Sequence, residues 1–395
     1  MEGWIGPLEG YFDGYKFHSG PVWIEIKDQH INEVSYQQKE RVEIDGRGKI
    51  LCPPFVDGHT HLIFAGTRFN ELAMKLEGAS YNEILAKGGG IISTVKATRN
   101  ASDEELLDLV LARLDVMQSH GTMTVEIKSG YGLNTVEELR LLNILQKANQ
   151  RHNVEIYATF GGAHVISPDM SRENYVATII DEMIPVVAKQ KLASSVDVFC
   201  DKGAFNVEET FQIFDQAQNY HLPVRVHADE LEYTGIAAIA ARKYKLRSAD
   251  HLLRTPTEDF QVLAEQKTVA MFMPTAPFGL FSTDIPTGHL QTPVTVGLGS
   301  DFNPNNWSVS MQEAMRMSVF RYRLTPERAM KAAISGSFQA ITGETYQKLQ
   351  EDSLASFLLI HAESPEALVS KLGQNLVHSV YYQGRRIVEN KMPVG

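Results

Sequence analysis

Eight short β-rich runs, each followed by a stretch of helical spacing, constrain this chain more than any other feature. They are FVDGHTHL (55–62), TMTVEIKS (122–129), VEIYATF (154–160), VDVFC (196–200), VRVHAD (224–229), LRSADHL (246–252), TVAMFMP (268–274) and TVGLGSD (295–301). Most are apolar on both faces, the pattern of parallel strands covered by helices on either side. The connecting segments carry helix signals. Ser102 precedes Asp103, Glu104 and Glu105, an N-cap with an acidic first turn, and Leu106, Leu107, Val110, Leu114 and Met117 form the apolar stripe. Asn134 to Gln150 repeats the pattern with Leu139, Leu142 and Leu145 inward, and 208–220, 234–241 and 257–266 fit between later strands. Eight strands with intervening helices predict an α/β fold of the (β/α)8 TIM-barrel kind. A doubly wound open sheet is the alternative, but no G-x-G-x-x-G follows the first strand.

The barrel is expected over residues 53–345. Residues 1–52 hold WIEIKDQHINEV and RVEIDGRGKIL, and residues 346–395 hold LASFLLI and SVYYQGRRIV, all strand-like. The two ends are expected to pair into one small composite β-sheet domain. Lysine and arginine total 37 against 48 aspartate and glutamate, a formal net charge of −11. That balance argues against nucleic acid, because phosphate binding needs a basic surface. An anionic small molecule would need an arginine or lysine placed at its site. Cys52 and Cys200 sit far apart in apolar runs and read as core residues. They make neither a disulfide framework nor a thiolate metal cage, so a reducing cytoplasm is the expected compartment. No run reaches about 18 apolar residues and the start has no secretory leader, so no membrane association is expected.

Asp57-Gly58-His59-Thr60-His61 ends the first run. Residues two apart on a strand project to one side, about 6.6 Å apart at Cα. Two imidazoles so placed can reach one metal at about 2.0–2.1 Å. His227, in His227-Ala228-Asp229-Glu230, ends the fifth run and completes a three-histidine set. Glu230 lies just past it, where it can serve as an acid–base group or simply as an acid at a helix start. His251 ends the sixth run, and Asp301, in Gly299-Ser300-Asp301-Phe302-Asn303-Pro304, ends the eighth. Singly, each has an ordinary use: a surface histidine pair, a core histidine bonded to a carbonyl, an Asx-turn aspartate. Together, four strands bring metal ligands or proton carriers to one end of one barrel, the end where barrel enzymes keep their sites. Without cysteine the donors are nitrogen and oxygen only, which suits Zn2+, Fe2+ or Mn2+. A divalent metal lowers the pKa of bound water to about 7 in favourable zinc sites. The residues predict a metal-dependent hydrolase in which hydroxide attacks an sp2 carbon. Asp301 would take the water proton, while His251 and Glu230 stabilise or protonate the intermediate. No Walker loop, G-x-S-x-G elbow or H-E-x-x-H offers another chemistry.

Longer motifs around these residues resemble the imidazolonepropionases of the amidohydrolase superfamily. They are PPFVDGHTHLIFAGTRFNELAMKLEGASYNEILAKGGGIISTVKATR, EIKSGYGL, TFGGAH, VDVFCDKGAF, VHADE, SADHL and GLGSDFNP, spread over about residues 53–345. The resemblance implies hydrolysis of the cyclic amide bond of 4-imidazolone-5-propanoate to N-formimino-L-glutamate, in histidine degradation. It implies one divalent metal ion per chain, zinc or iron (Fe2+/Fe3+), held by His59, His61, His227 and Asp301. It implies catalytic roles for Glu230, His251 and Asp301, and substrate contacts from Arg68, Tyr131, His164, Glu230 and Asn303. Arg68 suits the anionic substrate, since a guanidinium can hold a carboxylate bidentately. Lys128 is read as structural, because the implied site has one metal and no bridging lysine. Assembly as a homodimer is left open.

The nearest alternative is a deaminase or cyclic-amide hydrolase of the same superfamily acting on another small heterocycle. Arg68 and the KSGYG box speak against it, since a neutral purine or pyrimidine gives an arginine nothing to pair with. A non-catalytic ligand-binding barrel would have no need of every proton carrier. Two departures stand out. Asn305 and Asn306 occupy positions where the family usually has a glycine and a small polar residue, adding side chains to the substrate loop. KLQEDSLASFLLI replaces the usual glycine- and aspartate-bearing turn before the last strands.

Overall fold

In the computed structural model, all residues are described except 79–82, 84–87, 390–391 and 394–395. The N-terminal segment forms β1 (Gly3–Phe12), β2 (Phe17–Lys27), β3 (His30–Ser35), β4 (Ile44–Asp45) and β5 (Ile50–Cys52). Then come β6 (Phe55–Asp57), β7 (Thr122–Lys128), β8 (Glu155–Ala163), β9 (Ser195–Cys200), β10 (Val224–Ala228), β11 (Ser248–His251), β12 (Val269–Phe272) and β13 (Val296–Leu298). The C-terminal segment adds β14 (Phe357–Ile360), β15 (Val377–Tyr382), β16 (Arg385–Glu389) and β17 (Met392–Pro393).

Strands β6 to β13 pair in chain order, every neighbour parallel. Helices cover them. Asp103–Ser119 and Thr135–Arg151 start at the expected caps, where Ser102 accepts from Glu105 N–H and Asn134 from Glu137 N–H. Val207–Asn219, Ile236–Lys243 and Thr257–Glu265 follow later strands. The eight-stranded sheet is the expected barrel, but its first and last strands are shorter than the sequence runs. β6 stops at Asp57 and β13 at Leu298. Beyond them the chain closes the seam with irregular backbone bonds. Gly58 N–H donates to Leu298 O at 3.1 Å, Asp301 N–H to His59 O at 2.9 Å and His61 N–H to Phe302 O at 2.9 Å. A Cβ on Gly299 would stand 2.6 Å from the Cβ of His59, so glycine is what lets the two segments approach. The H-x-H pair therefore lies on the closing seam, past the end of its strand.

The second sheet runs β17-β16-β15-β14-β5-β1-β2-β3, with β4 on the side of β1. It is mixed: β4 and β5 run parallel to β1, and β14 runs antiparallel to β5. The pairs Leu358 with Cys52, Leu359 with Leu51 and Ile360 with Ile50 join the two ends of the chain. Tight hairpins turn at Asp28-Gln29 (φ 49° and 65°) and at Gln383-Gly384 (φ 49° and 74°), left-handed pairs that match strand twist. Ile50, Cys52, Leu358 and Ile360 pack into the same apolar cluster as the barrel, whereas Leu51, Phe357 and Leu359 face a separate cluster with Ile5, Val22 and Ile24. Among the described residues no helix is long and apolar enough to cross a membrane.

Candidate metal centre

The C-terminal rim of the barrel collects the candidate ligands. His227 comes from β10 and His251 from the end of β11, while His59, His61 and Asp301 come from the seam. His61 Nε2 lies 3.4 Å from His227 Nε2. Asp301 Oδ1 lies 3.6 Å from His61 Nε2 and 3.7 Å from His59 Nε2. Two ligand atoms bound about 2.0–2.1 Å from one tetrahedral ion stand roughly 3.4 Å apart, so these separations suit a shared cation. His59 Nε2 is buried with no hydrogen-bond partner among the described residues, a cost that a bound cation would remove. Donor atoms within 4.8 Å of one another also group His59 with His227 and His251, and His61 with His164 and His227. His164 thus stands closer to the donors than a substrate contact alone requires.

Burial holds His59, His61 and His251 far below the usual imidazole range, and neighbouring positive charges add to this. They are neutral at pH 7, as ligation requires. Carboxylates sit behind two of the candidate ligands. His59 Nδ1 lies 2.7 Å from Asp250 Oδ2, and His227 Nδ1 lies 2.7 Å from Asp197 Oδ2. Burial pushes Asp197 up, but His227 and Lys128 more than offset this and hold it well below the carboxylate range. At His59 the hydrogen bond to Asp250 keeps the proton on Nδ1 and turns the Nε2 lone pair toward the cluster. Beneath lies a fully buried charged layer. Lys128 Nζ is 2.9 Å from Glu126 Oε1 and 3.3 Å from Asp197 Oδ2, and Arg225 Nη2 donates to Gly58 O at 2.8 Å and to Asp250 Oδ2 at 3.2 Å. Lys128 is thus held in an ion-pair network.

The acid–base candidates are adjacent. His251 Nδ1 is 3.5 Å from Glu230 Oε1, whose side chain is only 12% exposed. Burial, with the charges of Asp301 and Asp201, pushes Glu230 up to about 8. Burial likewise pushes Asp301 up to about 7. Asp201 Oδ2 accepts from the backbone N–H of Glu230 and of Leu231, each at 2.8 Å, and so fixes the loop. The neighbouring Asp229 is structural: it accepts from Thr234 N–H at 2.8 Å and Thr255 Oγ1 at 2.7 Å.

The expected substrate contacts divide. The His164 ring lies 4.9 Å from those of His61 and His227 and stacks on Phe199 at 5.0 Å. Tyr131 lies 6.3 Å from His61. Burial raises its phenol, and the charges of Arg68, Asp301 and Arg113 act on it as well. Asn303 is used within its own turn, donating to Asp301 O at 2.8 Å and accepting from Asn305 N–H at 2.8 Å. Arg68 makes a bidentate pair with Glu71, Nε to Oε1 at 2.8 Å and Nη2 to Oε2 at 2.7 Å. Sequence reasoning read Lys128 as structural but missed its partners Glu126, Asp197, Asp250 and Arg225, and missed Glu71. The available signals were an R-x-x-E spacing and charged residues two positions apart inside otherwise apolar strands.

A parallel barrel carrying a histidine–aspartate donor cluster at its C-terminal rim has the layout of a metal-dependent barrel hydrolase. Solved structures share the fold. A 5-methylcytosine deaminase from Klebsiella pneumoniae liganded with phosphonocytosine superposes with a TM-score of 0.75 at 16% identity, covering 99% of both chains. A zinc-bound adenosine deaminase from Xanthomonas campestris superposes at 0.70 and 15% identity, covering 100% of this chain and 94% of that one. No family model matches the chain. Curated relatives are closer in sequence. The imidazolonepropionase of Symbiobacterium thermophilum is 39% identical over 375 residues, 93% of this chain and 88% of that protein. That of Haloarcula marismortui is 37% identical over 343 residues, 86% of this chain and 81% of that protein. The chain belongs to the imidazolonepropionase family.

Proposed function

We propose that this rim hydrolyses the cyclic amide bond of 4-imidazolone-5-propanoate to N-formimino-L-glutamate, with one divalent metal ion, zinc or iron, held by His59, His61, His227 and Asp301. The observation that supports the ligand set most directly is a run of close donor approaches: His227 Nε2 to His61 Nε2 at 3.4 Å, and Asp301 Oδ1 to His61 Nε2 at 3.6 Å and to the orphaned His59 Nε2 at 3.7 Å. When bound, such an ion supplies Lewis acidity that makes water a nucleophile near neutral pH. Hydrolysis adds the water oxygen to the ring carbonyl carbon and breaks the adjacent C–N bond. One water proton must reach the departing nitrogen. Asp301 is assigned the acceptance of a proton from water, and Glu230, a protonated acid at pH 7 by its raised pKa, the donation to nitrogen. His251, beside Glu230, steadies the developing oxyanion. Tyr131, His164 and Asn303 are assigned to the ring side of the pocket and Arg68 to the propanoate tail. The buried free thiols of Cys52 and Cys200 are compatible with a reducing cytoplasm. The test is turnover of imidazolone propanoate beside purines, pyrimidines and hydantoins, with elemental analysis of the same preparation. Close to one metal per chain and turnover of the imidazolone alone are expected; preference for a neutral heterocycle would overturn the assignment.

A further inference from the structure

The carboxylate end of the pocket carries more than Arg68. The Arg68 side chain is 9% exposed and its partner Glu71 2%, so this bidentate pair is closed off from water. Glu71 also accepts from Gly90 N–H at 2.7 Å, which fixes its carboxylate in place. An approaching anion therefore meets an arginine whose charge is already cancelled.

Lys75 stands one helical turn beyond Glu71 on helix Asn70–Leu76. It forms no ion pair with a described carboxylate, and its Nζ donates to the carbonyl of Gly279 at 3.3 Å. Burial and Arg68 push its ammonium down while Glu71 supports it, so the three charges share one locality. Between Arg68 and Lys75 lies the amide of Asn305. With its oxygen toward Arg68 it accepts from Nη1 at 3.0 Å and Nη2 at 3.1 Å. Turned the other way, that oxygen is 3.4 Å from Lys75 Nζ. One amide oxygen can serve only one of the two cations at a time, whereas a carboxylate has two oxygens and can serve both.

We infer that Lys75 is a further substrate-binding residue, supplying to the propanoate carboxylate the positive charge that Glu71 cancels on Arg68. This rests on the proposed imidazolone propanoate activity. The residue would set specificity for anionic substrates and take no part in the bond-breaking step.

The test compares Lys75→Met and Lys75→Arg with the wild type on imidazolone propanoate and on its neutral propanamide. For Lys75→Met the KM for the propanoate should rise about 10- to 100-fold, as expected for losing a charge-assisted contact, with kcat and the propanamide KM little changed. Lys75→Arg should recover most of the loss. If Lys75→Met raises both KM values equally, or neither, Lys75 only tethers its helix to the Gly279 loop and the inference falls. A wild type that fails to turn over the propanoate at all refutes the activity itself, a result distinct from either. Should Lys75→Met fold poorly, Lys75→Gln gives the same comparison.

Discussion

In the proposed mechanism Glu230 carries the proton to the leaving nitrogen, and its protonation has consequences beyond activity. Glu230→Gln removes this proposed proton donor while leaving the candidate metal donors untouched. Turnover should fall roughly 10²- to 10⁴-fold with metal content unchanged, and near-normal kcat would contradict its role. Its pKa of about 8 also couples to stability. An acid whose folded pKa lies above its unfolded value binds its proton more tightly in the folded state, so stability falls as pH rises toward the folded value. His59, His61 and His251 act oppositely: depressed in the fold, they add stability as pH rises, an effect complete above their unfolded pKa of about 6.5. The melting temperature of the metal-stripped protein should therefore climb to about pH 6.5 and then decline toward pH 8. Glu230 contributes about 2 kcal/mol to the decline. Glu230→Gln should flatten this alkaline fall in a thermal scan; an unchanged slope would show that Glu230 is not protonated in the fold. Asn305 offers a check of another kind. Its amide occupies the space between Arg68 and Lys75, so Asn305→Gly should lower KM for the propanoate, read from steady-state kinetics.

Strands β7, β9, β10 and β11 each place charged residues on the barrel interior below the donors: Glu126 and Lys128, Asp197, Arg225, and Asp250. Breaking a buried pair by removing one partner costs about 3–5 kcal/mol, because the other charge is left uncompensated. Lys128→Met should lose stability of that order in urea titrations while metal stoichiometry stays at the wild-type value. A halved metal content would instead mean that Lys128 bridges metals. At this scale the sequence was partly legible. Parallel strands buried on both faces announce themselves as apolar runs, and caps such as Ser102 and Asn134 mark helix starts. That the histidines and Asp301 meet at one rim was legible because imidazole and carboxylate groups at strand ends are few and chemically distinctive. The charged layer was not, because a lysine or aspartate inside an apolar run gains meaning only when a partner arrives from another strand. Arg68 shows the same limit: its charge was visible, but its cancellation by Glu71 depended on rotamers that spacing does not fix. The backbone at the rim was equally hidden, for Asp229, His251 and Asp301 turn with φ of 54°, 73° and 50°, a region that side chains ordinarily avoid. Positions of this kind cluster at functional sites, where surrounding structure holds them.

For the whole molecule, the proposed division into a barrel of residues 53–345 and a composite sheet of 1–52 with 346–395 is one of topology. The packing argues against a division of stability. Strand β14 alternates between two cores, with Leu358 and Ile360 in the barrel cluster and Phe357 and Leu359 in the cluster of the terminal sheet. Gly121, at the start of β7, sits so close that an added Cβ would stand 2.7 Å from Leu358 Cδ1. The terminal sheet thus packs on the barrel near the N-terminal ends of β6 and β7, while the donor cluster stands at the C-terminal ends of the strands. A cavity at Leu358 should therefore be felt by the entire chain. Leu358→Ala is expected to cost about 2–5 kcal/mol. Calorimetry should show a single transition shifted to lower temperature, with calorimetric and van't Hoff enthalpies still in agreement. Metal content and KM at 25 °C should stay at wild-type values, because the change lies at the opposite end of the barrel from His59 and Asp301. Two separated transitions, with only the earlier one moved, would show instead that the terminal sheet unfolds on its own and that the barrel does not depend on it.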